Sequence, residues 1–93
     1  MTLTKTWSLV FDARFDKKFD RLPRSDQKRI ISFFENRVLK HNDPKEYAKP
    51  LKGDLSGYWS FRIGNYRVIA DIIDEQLKII TFDVGHRRDV YLD

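Results

Sequence analysis

Residues 58–73, YWSFRIGNYRVIADII, decide the fold because they contain two runs of strand-forming residues around the dipeptide Gly64-Asn65. β-branched and aromatic residues dominate both runs, and a Gly-Asn pair suits a two-residue hairpin turn. Such a turn places Arg62 opposite Arg67, since paired residues step outward from the turn one at a time. The stretch therefore predicts an antiparallel hairpin with a defined register.

This register sorts the side chains of the hairpin onto two faces, because alternate residues of a strand point to opposite sides of a sheet. One face is apolar enough to be covered by helices. This helix face comprises Trp59, Phe61, Ile63, Tyr66, Val68, Ala70 and Ile72. The other, which we call the arginine face and expect to be open, comprises Tyr58, Ser60, Arg62, Arg67, Ile69, Asp71 and Ile73.

A further strand-like run over residues 77–84 follows the polar residues 74–76. A three-residue loop there is typical of hairpins and sends a set of apolar side chains to the helix face. That set comprises Ile80, Phe82 and Val84. The same loop places Asp83 on the arginine face beside Arg67, whereas a loop of different parity would reverse the assignment.

Continued alternation brings Arg87 to the arginine face, so Arg62, Arg67 and Arg87 are predicted to converge there. Like charges on directly opposite residues destabilise a sheet by up to about 1 kcal/mol, and such broken rules tend to mark functional sites. Arginine forks match phosphate and can stabilise charge that develops during phosphoryl transfer. Alternatively, the arginines are ordinary solvated side chains paired with nearby carboxylates. Those carboxylates would be Asp71, Asp83 and Asp89.

The N-terminal part of the chain predicts one strand and two helices. Residues 6–11 alternate as a strand does, and Asp12 can cap a first helix that Pro23 stops. Ser25 can cap a second helix with an apolar stripe that would lie against the sheet. The stripe comprises Ile30, Ile31, Phe34, Val38 and Leu39.

Residues 40–57 form a connection that is long for a compact domain, and long connections are often functional. Its tip is basic. The lysines there are Lys45, Lys49 and Lys52. The predicted order is βααβββ, an α+β fold in which two N-terminal helices pack on one face of a small, mostly antiparallel sheet. We expect residues 1–93 to form a single domain.

The composition favours an anionic partner, because 18 lysines and arginines exceed 14 acidic residues and leave a formal charge of +4. The chain has no cysteine, which removes disulfides, thiolate nucleophiles and cysteine-based zinc sites. With two histidines and no ligand cluster at metal spacing, neither a metal nor another cofactor is predicted. The N-terminal residues contain no apolar run typical of a signal peptide or membrane span, so we expect a cytoplasmic protein without a membrane partner.

Three motifs in the run from Lys49 to Tyr91 occur in a recognisable order: an LKG…SG connection, a W-x-x-R-I-G-x-Y-R hairpin and a closing GHRRDVY. This combination resembles the signature of RelE toxins in the RelE/ParE superfamily of bacterial toxin–antitoxin systems. The resemblance implies a metal-independent endoribonuclease that enters the ribosomal A site beside 16S rRNA and cuts mRNA. It also implies attack by the 2′-hydroxyl on the scissile phosphate and inhibition by a cognate antitoxin.

The resemblance also implies roles for individual residues. Arg67 and Arg87 match the arginines that stabilise the phosphate and assist acid catalysis, and Tyr91 matches a tyrosine proposed as base or stacking platform. Arg62 matches a basic position on the preceding strand. The residues expected to bind RNA around them are Lys49, Lys52 and Arg88.

Ser60 departs from the pattern of the best-known RelE toxins, which have a basic residue at that position. His86 is a candidate auxiliary residue, since some relatives are thought to use a histidine nearby. Two alternatives therefore remain: a ParE-like inhibitor of DNA gyrase, and a non-enzymatic module that binds RNA or an acidic protein. The set of Arg62, Arg67 and Tyr91 with Arg87 argues against the gyrase inhibitor.

Overall fold

The computed structural model describes residues 6–86. Its elements are β1 (Ser8–Phe11), α1 (Ala13–Phe19), α2 (Arg24–Phe33), β2 (Ala48–Pro50), β3 (Trp59–Ile63), β4 (Tyr66–Ile73) and β5 (Lys78–His86). The strands form one sheet in the order β1-β5-β4-β3-β2, in which β1 runs parallel to β5 and every other pair is antiparallel. The prediction of an α+β fold with a mostly antiparallel sheet is confirmed. No helix within residues 6–86 has the length and apolar character needed to span a membrane.

The helix face of the sheet carries the core, as predicted. Side chains from both helices are buried there together with side chains from β3, β4 and β5. Phe34 packs edge-on against Phe61 with ring centroids 5.0 Å apart, which joins the end of α2 to the centre of the sheet. The fully buried residues from the helical part are Phe15, Ile30, Phe34 and Val38.

The first helix begins where predicted, whereas the second begins earlier than predicted. Asp12 caps α1 as expected, because its carboxylate accepts a hydrogen bond from the backbone N–H of Arg14. Pro23, and not Ser25, occupies the N-cap position of α2, so Ser25 lies inside the first helical turn. The fixed φ of proline suits a helix start, and the Pro23 carbonyl accepts the N–H of Gln27 at 3.0 Å.

The predicted order βααβββ omits one strand that the structure contains. Residues 48–50, within the expected connection 40–57, pair with β3 as the edge strand β2. The pairing joins Ala48 to Phe61 and Pro50 to Trp59. A three-residue strand that ends in proline has no sequence signal of its own, since proline is confined to sheet edges and the run is too short to alternate. The observed order is therefore βααββββ.

The β3–β4 hairpin has the predicted register. Ile63 lies opposite Tyr66, and Arg62 lies opposite Arg67. Gly64 has a φ of +58°, whereas Asn65 is not among the residues of positive φ. A positive φ at the first central position alone matches a type II′ turn, which agrees with the right-handed twist of the flanking strands.

The loop before β5 has four residues instead of the predicted three, since Ile73 pairs with Lys78. It forms a helical turn over Asp74–Gln76 followed by Leu77, whose φ of 51° is left-handed. That conformation costs a residue with a Cβ about 1–2 kcal/mol. The Leu77 side chain packs against the core, and this burial offsets part of the cost.

The extra loop residue reverses the faces in the first half of β5. Ile79 pairs with Ile72 and is fully buried on the helix face. Ile80 pairs with Asp71, a residue of the arginine face. The prediction that Ile80 faces the core is wrong because it assumed a loop of the opposite parity.

A bulge in β5 then restores the alternation. Ala70 pairs with Thr81, but the preceding residue Ile69 pairs with Asp83, so Phe82 is the extra residue. A bulge sets two residues against one and shifts all later pairs by one. The loop and the bulge each add one residue, and the two shifts together return the strand to its predicted parity.

The outcome for the predicted core positions follows from these two shifts. Val84 is buried as predicted, opposite Val68. Phe82 is not a core residue of the helix face, because its ring packs on Tyr58 with centroids 4.7 Å apart. Gly85 lies opposite Arg67, two residues later than the predicted partner.

Candidate functional site

A cleft of about 250 Å³ lies where β2, β3 and β4 adjoin on the arginine face. We call it the arginine cleft. Its lining comes from the turn before β2, from β2 itself and from the two hairpin strands. The lining residues are Glu46, Tyr47, Ala48, Lys49, Ser60, Arg62 and Arg67. Two of the arginines predicted from the hairpin register therefore border one cavity.

Arg67 is held in place by the strand next to it. Its guanidinium Nη1 donates a hydrogen bond to the Ser60 hydroxyl at 3.3 Å, and Ser60 is only 3% exposed. Arg67 itself is half-buried, which is unusual for a charged side chain. Although Ser60 is uncharged, its hydroxyl helps to orient the Arg67 guanidinium at the cleft.

Arg62 is exposed and lies directly opposite Arg67 on the paired strand. Within residues 6–86, no carboxylate lies within 4 Å of the Arg62 guanidinium. Of the carboxylates proposed as partners, Asp83 pairs with Lys18 at 2.7 Å. Arg62 and Arg67 thus bring two cations to one cleft, where an anion would relieve the repulsion between them.

The arginine face is not open throughout, contrary to the prediction. Ile69 is 1% exposed, and Ser60 is similarly buried. The bulge turns Phe82 onto this face, where its ring meets Tyr58, and the Arg14 guanidinium lies 5.3 Å from the Phe82 ring centroid. Part of the face is therefore a second, smaller aromatic cluster.

His86 lies on the side of the sheet opposite to Arg67. It pairs with Tyr66, and the two rings are 5.5 Å apart. The Tyr66 hydroxyl donates to the Asp26 carboxylate at 2.8 Å, which together with partial burial raises the pKa of Tyr66. Since the side chains of Tyr66 and Arg67 point to opposite faces, His86 is not among the residues that line the arginine cleft.

The three lysines of the 40–57 connection have different surroundings. Lys49 lines the arginine cleft and pairs with Ser60 across the strands. Lys52 is exposed beside a helical turn, outside the cleft lining. Lys45 forms an ion pair with Asp74 at 2.7 Å, and this hydrogen-bonded carboxylate raises the pKa of Lys45.

Arg87, Arg88 and Tyr91 lie outside the described residues. The expected convergence of Arg87 with the other two arginines therefore stays a prediction. That prediction requires Gly85 to lie on the arginine face, and Gly85 does lie there, opposite Arg67.

Glu46 was not among the site residues predicted from the sequence, yet it is the one acidic residue within residues 6–86 that lines the arginine cleft. It lies in a helical turn over Pro44–Tyr47, which Asp43 caps by accepting the N–H of Lys45. The only sequence signal was the Asp-Pro start of that turn, which does not reveal where the next residues point. Within the part of the chain that the structure describes, no three histidine, aspartate or glutamate side chains are grouped closely enough to hold a metal ion.

Comparison with known proteins agrees with this arrangement. A family model described as the ParE toxin of the type II toxin-antitoxin system parDE matches residues 9–91, which is most of the chain. The chain belongs to the RelE/ParE superfamily of type II toxin–antitoxin toxins. The resemblance to RelE toxins that the hairpin and the closing motif indicated is thereby confirmed.

Individual members of the superfamily give the extent of the likeness. Toxin RelG of Mycobacterium tuberculosis is 39% identical over 49 residues, which cover 53% of this chain and 56% of that protein, so this match spans little more than half of the relative. Toxin RelE of the same organism is 28% identical and is matched over 91% of this chain and 86% of its own length. The crystal structure of the toxin-antitoxin complex RelBE2 from M. tuberculosis superposes with a TM-score of 0.80 at 26% identity, covering 90% of this chain and 94% of that chain.

Proposed function

We propose that this superfamily member is a ribosome-dependent mRNA endonuclease that cuts by attack of a 2′-hydroxyl on the adjacent scissile phosphate. The observation that carries the proposal is the pairing of Arg62 with Arg67 at one cleft, with Ser60 fixing the Arg67 guanidinium. Two opposed arginines beside a cavity suit a reaction that builds negative charge on a phosphate.

The cleft residues suit the steps of such a reaction. The bond from the 2′-oxygen to phosphorus forms while the bond to the 5′-oxygen breaks, which leaves a cyclic phosphate and a 5′-hydroxyl. Arg62 and Arg67 would neutralise the oxygens of the pentavalent phosphate. Glu46 is the lining carboxylate that could accept the proton from the 2′-hydroxyl. The 5′-oxygen needs a proton in return, and Arg87 is proposed to assist this acid step, with Tyr91 as a stacking platform for a base.

The proposed partners follow from the same function. The RNA would be mRNA in the ribosomal A site, with 16S rRNA alongside, and the activity would take place in the cytoplasm. The similar chain in M. tuberculosis was crystallised as a toxin-antitoxin complex. We therefore propose that a cognate antitoxin binds and inhibits this protein as well.

The test is primer extension on a translated reporter mRNA after induction of wild type, Arg67→Ala and Arg21→Ala. Wild type is expected to cut inside codons, and Arg67→Ala to cut about 100-fold less, as is typical when one donor to a transition-state oxyanion is removed. Arg21 is an exposed arginine outside the cleft lining, so Arg21→Ala controls for charge. Undiminished cutting by Arg67→Ala would refute the assignment.

A second variant tests whether Ser60 positions Arg67. Ser60→Ala removes a hydrogen bond to a charged group, a bond worth about 1.5–3 kcal/mol, and is expected to lower the cleavage rate at least tenfold. The affinity for uncleavable RNA is expected to stay unchanged, because the charge of Arg67 remains. Ser56→Ala, in the exposed loop before β3, is the matched control. An equal loss of RNA affinity and rate would mean that Ser60 is not a positioning residue.

Gyrase inhibition is the second candidate function, because the matching family model is described as the ParE toxin. Relaxed plasmid supercoiling or an SOS response with intact mRNA in the same cells would select it. Intact mRNA together with normal supercoiling would instead select the non-enzymatic binding module.

A further inference from the structure

A second cleft, of about 350 Å³, lies between the C-terminal half of the second helix and the β3–β4 hairpin. We call it the α2 cleft. Three of its lining residues are arginines: Arg29 on α2, Arg37 on the π-helical turn Phe34–Val38 that continues α2, and Arg62 on β3. The remaining lining residues are Ser32, Phe33, Asn36, Ile63 and Gly64.

Among residues 6–86, the lining of the α2 cleft includes three arginines and no acidic residue. Over residues 6–86, neither Arg29 nor Arg37 has a carboxylate within 4 Å, in contrast to Arg14, which pairs with Asp12 at 2.9 Å. Asn36 and Ser32 hydrogen-bond to each other at 2.9 Å and add neutral donors to the wall. Such a lining suits an anion with several acceptor oxygens.

Gly64 shapes this cleft. A Cβ at Gly64 would lie 3.1 Å from Nη1 of Arg29, so the glycine allows the Arg29 guanidinium to approach the hairpin turn closely. The residue at position 64 of the β3–β4 turn therefore limits how closely the Arg29 guanidinium can approach.

Arg62 lines both clefts, and the sheet register explains how. The edge strand β2 begins at Ala48, which pairs with Phe61. On the edge of β3 that pairs with β2, this pairing ends at Phe61, so Arg62 stands at a corner of the sheet that β2 does not cover. From that corner its side chain borders the arginine face on one side and the helix side on the other.

We propose that the α2 cleft binds a backbone phosphate of the same RNA strand whose scissile phosphate occupies the arginine cleft. This inference rests on the proposed nuclease function. The shared Arg62 would direct the strand around the corner of the sheet from one phosphate site to the other. An RNA strand is favoured over an acidic protein because Arg62 lines both clefts and each cleft has a second arginine among its lining residues, which suits successive phosphates of one backbone.

The test measures binding of a short, labelled 2′-O-methyl oligonucleotide, which has no 2′-hydroxyl and cannot be cut, by fluorescence anisotropy over a range of KCl concentrations. The variant is R29Q/R37Q. The matched control is R24Q/K28Q, which removes two positive charges from the same helix at residues that line a different groove. The single variants R29Q and R37Q keep the test valid if the double variant does not fold, and thermal unfolding reports folding in each case.

For R29Q/R37Q the slope of log K against log [KCl] is expected to become shallower by about 0.7, which corresponds to one phosphate of a single strand that the protein no longer neutralises. R24Q/K28Q is expected to change the slope much less. Equal slopes for the two double variants would overturn the proposal. So would unchanged RNA binding by R29Q/R37Q together with weakened binding of a poly-glutamate peptide, which would assign the α2 cleft to an acidic protein.

Cleavage of the translated reporter separates this inference from the proposed function. If wild type makes no cuts but R29Q/R37Q still has the shallower slope, the nuclease is refuted and the second phosphate site stands. If wild type cuts and R29Q/R37Q matches its control in both slope and cleavage, the nuclease stands and the second phosphate site is refuted.

Discussion

Ser60 contacts the Arg67 guanidinium through a hydrogen bond to its hydroxyl. The opposed pair of Arg62 and Arg67 costs stability, up to about 1 kcal/mol for like charges directly across two strands. Burial of Arg67 adds a desolvation cost, which the Ser60 hydroxyl partly offsets at 3.3 Å.

Tyr66 is predicted to give a pH-dependent contribution to stability. Its hydrogen bond to Asp26, aided by burial, raises the pKa of Tyr66 above the ordinary value of 10.0. The contribution is therefore fully present below about pH 10 and is lost as the pH rises through the raised pKa of the folded state. Tyr66→Phe is expected to lower the free energy of unfolding by about 1 kcal/mol at pH 8 and by clearly less at pH 11.

Urea unfolding at both pH values checks this prediction. Tyr58→Phe is the control, since Tyr58 is exposed and its hydroxyl makes no hydrogen bond within residues 6–86. A Tyr66→Phe effect of the same size at pH 8 and pH 11 would show that the hydroxyl does not titrate as proposed.

Strand β5 departs from the predicted register at two places, and the two departures compensate each other. The loop over residues 74–77 is one residue longer than predicted, and the bulge at Phe82 inserts one more residue into the strand. Each deviation alone would exchange the faces of the rest of the strand. Together they bury Val84 and place Gly85 opposite Arg67, a residue of the arginine face.

The β3–β4 turn is predicted to depend on Gly64 much more than on Asn65. Gly64 has a φ of +58°, which costs a residue with a Cβ about 1–2 kcal/mol. Gly64→Ala is therefore expected to lower the free energy of unfolding by that amount. The added Cβ would also displace the Arg29 guanidinium from 3.1 Å.

Asn65→Ala is the matched control for the turn, because its backbone is outside the left-handed region. Its expected effect is within about 0.5 kcal/mol, as for most surface substitutions. Both variants are compared by urea unfolding with tryptophan fluorescence. Equal losses for Gly64→Ala and Asn65→Ala would contradict the conformational explanation.

For the whole molecule, stability depends on the contact between the second helix and the centre of the sheet. Phe34 is fully buried and packs against Phe61, which is also fully buried. Phe34→Ala is expected to lower the free energy of unfolding by about 3–5 kcal/mol, through the transfer energy of the removed ring and the cavity that remains. For a domain of this size that is a large fraction of a total of roughly 5–15 kcal/mol.

Phe33→Ala is the control for this substitution. Phe33 is only half-buried, and its ring meets Tyr47 at 6.0 Å near the surface. Its destabilisation is expected to be less than half that of Phe34→Ala in urea unfolding. Equal destabilisation would mean that the core does not extend from the helix to the sheet in the way described.

The hairpin, its register and the shared face of Arg62 and Arg67 were predictable from the sequence alone. These features depend on the local turn at Gly64-Asn65 and on strict alternation, both of which involve only neighbouring residues. The apolar stripe of the second helix was equally readable, because a period of 3.6 residues is visible without knowledge of the partner surface. The three motifs near the C-terminal end were sufficient for the superfamily.

Which side chains share a cavity depends on packing between segments that are distant in the chain. The edge strand β2 forms because β3 offers a free edge, and it brings Glu46 and Lys49 to the arginine cleft. The loop and the bulge of β5 depend on packing against β4, and a local sequence pattern does not reveal that packing. The uncovered corner at Arg62 arises where β2 begins, so the link between the two clefts follows from packing between segments that are distant in the chain.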